Sequence, residues 1–361
     1  MARIEFIDLA HSYSAPKAAN PTWALQPMSI TWNDGGAYAL LGPSGCGKTT
    51  LLNIVSGLIR PTRGKVLFDG REVTELAPQD RNIAQVFQFP VIYDTMSVFD
   101  NLAFPLRNRG WKEAPLRKRV QEVAELLELS ADLNYRASGL TADAKQKISL
   151  GRGLVRTDVA AVLFDEPLTV IDPHLKWLLR RKLKQIHQQL KLSLIYVTHD
   201  QVEALTFADT VVVMTHGEVV QSGTAQALFE RPAHAFVGYF IGNPGMNFLP
   251  CQVNGRVAVV DDHTFEIDAN VSVQSGVRSG ARKLGIRPEF IECLAEPLPG
   301  THQIEVRSAQ HMGTYTLIAA QLGRHPIWIK GPSNLRLNGT TAWARIQRDR
   351  LMLYENERLV Q

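Results

Sequence analysis

The stretch from Gly42 to Thr50 reads GPSGCGKTT, which spaces glycines around a lysine and two hydroxyls in a way suited to phosphate. Gly42, Gly45 and Gly47 free the backbone to turn successive N–H groups inward, and a helix starting there adds the positive end of its dipole. Pro43, Ser44 and Cys46 complete the loop, and Thr50 carries it into the next element. Lys48 is placed to reach the β- and γ-phosphates of a nucleotide, and the Thr49 hydroxyl to ligate Mg²⁺. A second chemical element stands at VLFDEP, where Asp165 and Glu166 close an apolar run. A carboxylate at the end of a buried strand beside a phosphate loop suits the shell of a Mg²⁺ ion. The next one can then polarise an attacking water. Two acids after a strand also suit a helix-capping turn. Behind GPSGCGKTT they point instead to cleavage of a bound nucleoside triphosphate.

These groups need elements to hold them. AYALL (Ala37 to Leu41) is apolar enough for a buried strand, and TLLNIVSGLI (Thr50 to Ile59) has the apolar spacing of a packed helix. AAVLFDEP (Ala160 to Pro167), LSLIYVTHD (Leu192 to Asp200) and TVVVMTHGEVV (Thr210 to Val220) are short and β-branched, as buried strands are. Between them HLKWLLRRKLKQIHQQL (His174 to Leu190) sets Leu175, Leu178, Leu179, Leu183 and Ile186 on one helical face. The alternation predicts an α/β domain over residues 1–240 with a largely parallel sheet. From about Met96 to Arg156 strand signals are few and PLRKRVQEVAELLEL (Pro115 to Leu129) is amphipathic, which predicts an inserted helical subdomain. GNPG (Gly242 to Gly245) breaks the pattern, and the short alternating runs beyond it predict a small all-β domain over 245–361.

With 361 residues, 45% hydrophobic and 20% charged, the chain is long enough for two globular domains with sizeable cores. A formal charge of +4 is too weak and dispersed to argue for a nucleic-acid partner. The densest basic stretch, Arg117 to Arg119, has Glu122 and Glu125 nearby and reads as a solvated helix face. Cys46, Cys251 and Cys293 lie far apart, which predicts reduced thiols in a cytosolic protein. MARIEFIDLA lacks the apolar core of a signal peptide, and no run approaches the roughly 20 apolar residues that span a bilayer. Work at a membrane would require another chain to do the spanning.

In order and spacing, the motifs resemble those of the ATP-binding subunits of ABC transporters. Gln88 in QVFQ resembles the family's Q-loop glutamine, Asp172 in TVIDPHL its D-loop aspartate, and His199 in YVTHD its switch histidine. The resemblance implies that Gln88 touches Mg²⁺ or its water and faces a transmembrane partner, and that His199 contacts the γ-phosphate. It makes Tyr13 a candidate to stack on adenine, with Trp23 a rival across an apparent insertion, SAPKAANPTW. RNIAQVFQ, FDNLAFPLR and GIRPE (Gly285 to Glu289) resemble the carbohydrate-uptake importers, whose C-terminal β domain consists of OB-like subdomains. This resemblance spans essentially the whole chain. It implies ATP and Mg²⁺ as cofactors, Glu166, His199 and Lys48 as catalytic residues, and Thr49, Gln88 and Asp165 as the Mg²⁺ set. It also implies a permease, a seat on the cytoplasmic face of the membrane and, indirectly, a solute-binding protein. QFPVIYDTMSVFDNLAFPLRNRG is most like the branch that imports glycerol or similar small polyols. Because β tails of this kind can bind metabolic regulators, a mainly regulatory module is the alternative reading.

The chain departs from the family at its signature. Where the family reads LSGGQ, the aligned segment opens LTADA: Thr141 keeps the hydroxyl, Ala142 and Asp143 replace both glycines, and Ala144 replaces the glutamine. In the family this helix points its N-terminus at the γ-phosphate held by the other subunit. Asp143 would bring a carboxylate there. Two like charges about 4 Å apart cost roughly 1 kcal/mol in water and about 4 at an effective dielectric of 20. Thr141 and Asp143 also make a good helix N-terminus. The expectation is an asymmetric pair. This chain's phosphate loop, Glu166 and His199 form one site with a second, non-identical ATPase, while the site using LTADA hydrolyses ATP poorly.

Overall fold

The structure is a computed structural model that describes residues 2–14, 22–169, 171–267, 281–337 and 339–360. Most of the apparent insertion, residues 15–21, lies outside the described residues, as does the Leu175 side chain. The chain divides into two units, Met1–Ala225 and Gln226–Gln361.

In the first unit, β1 (Ile4–Ser12), β2 (Trp23–Trp32), β3 (Ala37–Leu41), α1 (Lys48–Ser56), β4 (Arg63–Phe68), β5 (Arg71–Glu72) and β6 (Ala84–Val86) come first. Three helices follow, α2 (Val98–Arg107), α3 (Glu113–Leu126) and α4 (Ala142–Leu154). Then come β7 (Val162–Asp165), α5 (Pro173–Leu190), β8 (Leu194–Thr198), α6 (Gln201–Phe207), β9 (Thr210–Thr215) and β10 (Glu218–Gly223). A six-stranded sheet runs β10-β9-β3-β8-β7-β6, parallel except for β10 at its edge. β3 and β8 are buried along their whole length, which is why their sequences are continuous apolar runs rather than alternations.

Two features differ from the sequence reading. TVVVMTHGEVV is a hairpin, not one strand: His216 (φ 48°) and Gly217 (φ 76°) form a two-residue turn between β9 and β10. A separate antiparallel sheet, β2-β1-β4-β5, stands beside the parallel one, where strand–helix alternation alone was expected. The basic stretch on α3, one of three helices between β6 and β7, is not wholly solvated. Arg117 pairs with Glu113 at the surface, whereas Arg119 is buried and donates to the Leu154 and Val155 carbonyls at 2.9 and 3.0 Å. It thereby satisfies carbonyls left open at the C-terminus of α4.

The second unit contains most of α7 (Ala225–Glu230), then α8 (Ala235–Phe240), followed by twelve strands among the described residues. These form antiparallel sheets of four, three and five strands around one apolar cluster that includes Leu284, Ile286, Ile304, Ile318 and Leu353. The division falls after Ala225, the first residue of α7, rather than at GNPG, and Arg287 of the GIRPE stretch supplies the reason. Its side chain, 1% exposed, donates to the carbonyls of Phe229 (2.6 Å), Ile241 (2.5 Å) and Leu228 (3.4 Å). The guanidinium also lies 3.9 Å from the Phe229 ring centre. Tyr354 adds a bond to the Pro232 carbonyl at 2.8 Å. The two helices are thus bonded to the β strands that follow them. Burial lowers the Arg287 pKa to about 10, so the group stays charged at neutral pH. Arg287→Ala strands three buried carbonyls and opens a cavity. We expect it to destabilise this unit by about 3 kcal/mol or more, read from urea unfolding of the full chain.

Candidate functional site

Strand register brings the chemical groups to one edge. Leu41, the last residue of β3, pairs with Thr198, the last of β8. Val197 of β8 pairs with Asp165, the last of β7, and Phe164 pairs with Val86, the last of β6. The carboxyl ends of four parallel strands therefore release, side by side, the Gly42–Thr50 loop, His199, Asp165–Glu166 and Gln88. Ligands of open α/β sheets bind at this edge.

The phosphate loop is shaped by close backbone approach. A Cβ on Gly42 would lie 2.2 Å from the Met214 carbonyl oxygen, and one on Gly47 would lie 2.5 Å from that of Ala24. Gly47 also has φ 100° at the N-cap of α1, where side chains are strained. The N-terminus of α1 consequently opens onto the loop, as anion binding requires. Lys48 is buried, and its Nζ donates to the carbonyls of Gly42 (2.8 Å) and Pro43 (2.9 Å). Cys46 is buried in the same loop, and desolvation raises its thiol pKa.

Thr49 donates its hydroxyl to Asp165 at 3.3 Å, joining the loop to the end of β7. Burial raises the Asp165 pKa, the Thr49 bond opposes this, and the Glu166 charge adds to the rise. A hydroxyl and a desolvated carboxylate form a hard, all-oxygen pair that fits Mg²⁺, with the remaining positions left to phosphate and water. Among the described residues no group of three or more His, Cys, Asp or Glu could hold a metal ion.

Glu166 has left-handed backbone, φ 46°, which is uncommon for a side chain with a Cβ. Its Oε2 lies 3.1 Å from His199 Nδ1 and 3.3 Å from the Thr169 hydroxyl. The sequence pair Glu166 and His199, 33 positions apart, is therefore a contact. Tyr13 is 66% exposed, with its hydroxyl 3.1 Å from Thr50 Oγ1 and its ring edge-on to His11. Trp23 pairs with Ser12 across the β1–β2 ladder and is 37% exposed. Gln88 is half-buried, two residues beyond β6. Asp172 precedes α5, where its carbonyl accepts from the Lys176 N–H at 2.9 Å.

Sequence reasoning missed Glu203. Its buried Oε2 accepts from the hydroxyls of Thr198 (2.8 Å) and Tyr196 (3.0 Å), and Thr198 Oγ1 accepts from the Asp200 N–H at 3.0 Å. These bonds fix the turn that presents His199. The signal available was Asp200-x-x-Glu203, which reads as a capping box. Asp200 does cap α6, accepting from the Val202 and Glu203 N–H groups, while the glutamate is diverted to the sheet.

The altered signature does start a helix. Thr141 is the N-cap of α4, accepting from the Ala144 N–H at 3.3 Å. Asp143 does not stand bare, as the sequence reading had it. Lys147, one turn along, lies 3.4 Å from its carboxylate and offsets part of its charge.

The profile of the ABC transporter family matches residues 25–169. The chain is 38% identical over 342 residues to the sn-glycerol-3-phosphate import ATP-binding protein UgpC of Escherichia coli O157:H7, covering 93% of this chain and 94% of that one. The UgpC of Shigella sonnei is similar to the same extent. Among solved structures, cbiO1 of Clostridium perfringens, part of the ABC transporter complex cbiONQ, has a TM-score of 0.57 at 24% identity, covering 63% of this chain and 90% of that one. The ATP-binding cassette MJ0796, bound to ADP and Pi in a dimeric post-hydrolysis state, has a TM-score of 0.54 at 23% identity, covering 61% and 98% respectively. At these identities the two structures establish the shared fold.

Proposed function

Since this chain belongs to the ABC transporter family as an ATP-binding subunit, we propose that its ATP hydrolysis powers uptake of a small polyol or its phosphate through a membrane permease. The observation that carries the reading is the convergence of Lys48, Asp165, Glu166 and His199 at one sheet edge, in a chain similar over 93% of its length to an import ATP-binding protein. The solute class follows the relative named for sn-glycerol-3-phosphate. The chain itself works peripherally, on the cytoplasmic face. No helix among the described residues is long and apolar enough to cross a membrane, so translocation falls to the permease.

In this reading the loop N–H groups and Lys48 hold the β- and γ-phosphates, and Tyr13 stacks on adenine. Thr49 and Asp165, with Gln88, hold Mg²⁺, which supplies charge neutralisation to the phosphates. Glu166 orients and deprotonates the attacking water, His199 senses the γ-phosphate, and Thr198 with Glu203 keeps His199 in place. A mainly regulatory ATPase is not favoured, because the chain is similar over 93% of its length to an import ATP-binding protein. Reconstitution with its permease in vesicles tests the proposal: ATP inside is expected to drive uptake of labelled glycerol or glycerol 3-phosphate. ATP turnover without accumulation of either would overturn the solute class.

We further propose that the second ATPase in the assembly is non-identical. Loss of both signature glycines supports this, since Ala142 and Asp143 carry side chains where close backbone approach to a phosphate is needed. The Lys147 contact reduces the repulsion from Asp143 without restoring that access. The double variant A142G/D143G is expected to raise ATP turnover of the purified chain at least about tenfold. Equal turnover in both forms, at rates typical of transporters (~1 per second or faster), would show that the chain pairs productively with itself.

A further inference from the structure

We propose that Gln146 is a positioning residue for ATP hydrolysis, its carboxamide tying α4 to the backbone beside Glu166 and beside Gln88. The proposal rests on the chain acting as an ATPase. Gln146 lies in the second turn of α4 and is fully buried. Its Nε2 donates to the Pro167 carbonyl at 2.6 Å and, more weakly, to the Phe87 carbonyl at 3.4 Å. Pro167 directly follows Glu166, and Phe87 directly precedes Gln88. One amide nitrogen therefore joins the helix behind the altered signature to the exits of both β7 and β6. Its Oε1 is buried without a hydrogen-bond partner among the described residues. A buried acceptor left unpaired is costly, and an apolar side chain of similar length would avoid that cost. Packing alone does not account for a glutamine here.

The group that needs holding is Glu166. Its φ of 46° is left-handed, and it precedes a proline, whose ring pushes the preceding residue toward extended backbone. Both effects oppose the observed conformation, so it persists only where surrounding structure fixes it. Two hydrogen bonds from other elements bracket the position, beside the local bond from the Thr169 N–H to the Glu166 carbonyl at 3.2 Å: Glu166 N–H to the Val197 carbonyl at 3.0 Å, and Gln146 to the Pro167 carbonyl at 2.6 Å. The first comes from the sheet and the second from α4. Without the second, only the sheet bond and the Thr169 turn bond oppose relaxation of Glu166 toward extended backbone, which would carry its carboxylate away from His199. Misplacement of a reacting group by about 1 Å costs on the order of a hundredfold in rate. The branch to Phe87 makes the same amide a link between α4 and the segment that leads into Gln88.

Two variants test this. Gln146→Glu keeps the shape and loses both N–H donors; Gln146→Met keeps the length and is apolar. In the full-length chain without nucleotide, amide hydrogen exchange over residues 166–169 and 87–89 is expected to speed up about tenfold in both. The melting temperature of Gln146→Met should stay within a few degrees of the parent. In the assembled complex, kcat is expected to fall about 10- to 100-fold with the KM for ATP unchanged within twofold. A purely structural glutamine would instead move KM and melting temperature together. Parental exchange and parental kcat in Gln146→Met would overturn the proposal, and Gln146→Met carries the test if Gln146→Glu fails to fold. A parent complex that hydrolyses no ATP would sink the ATPase reading, while the exchange rates still decide whether Gln146 holds Glu166.

Discussion

Glutamine in place of Glu166 is expected to leave ATP binding intact and to slow its turnover by about 10²–10⁴-fold, the range for loss of a general base. A hundredfold loss corresponds to about 2.7 kcal/mol of transition-state stabilisation. The side chain reaches out from the carboxyl edge of the sheet, and its Oε2 is 3.1 Å from His199. An amide has nearly the same shape, and its oxygen can still accept from Thr169, so the ground state changes little. What disappears is the charge that the proposed mechanism uses to take a proton from water. Nucleotide affinity measured by calorimetry, together with phosphate release by the assembled complex, separates the two effects. Unaltered turnover would assign the water to another group.

At Lys48 the loss is expected in binding. Lys48→Ala should weaken ATP binding by about a hundredfold or more, near 2.7 kcal/mol, because it removes the charge-assisted contact proposed for the β- and γ-phosphates. The loop itself also loses support, since the ammonium bonds the Gly42 and Pro43 carbonyls at 2.8 and 2.9 Å. Arginine is not expected to rescue. Its planar fork is larger than a compact ammonium and fits poorly in a buried site with two carbonyls. Titration with a fluorescent ATP analogue reads the effect directly, and affinity within twofold of the parent would remove Lys48 from phosphate binding.

How much of this was legible in the sequence depended on how local each signal was. The phosphate loop, β3 before it and the acids after β7 were legible because glycine spacing, an unbroken apolar run and a terminal carboxylate are contiguous signals. The approach of His199 to Glu166 was not available from spacing alone; it follows from β7 and β8 being neighbours in the sheet. The hairpin at His216–Gly217 was hidden because, beyond Thr215 and Glu218, apolar runs lie on both sides of the turn, Val211–Met214 and Val219–Val220. Arg119 and Glu203 sat in patterns with adequate local readings, a solvated face and a capping box. Tertiary contacts overrode both. Asp143 was correctly placed in the first turn of a helix, but its ion pair with Lys147 is a matter of rotamer that residue type does not specify.

The grip of Arg287 on α7 and α8 decides where this protein can be taken apart. A chain ended at Gly245 would keep both helices while losing the guanidinium that serves the Leu228, Phe229 and Ile241 carbonyls. A chain ended at Ala225 would leave none of these groups stranded. Graftable modules therefore begin at Gln226, and β domains swapped between importers would have to travel with the two helices ahead of them.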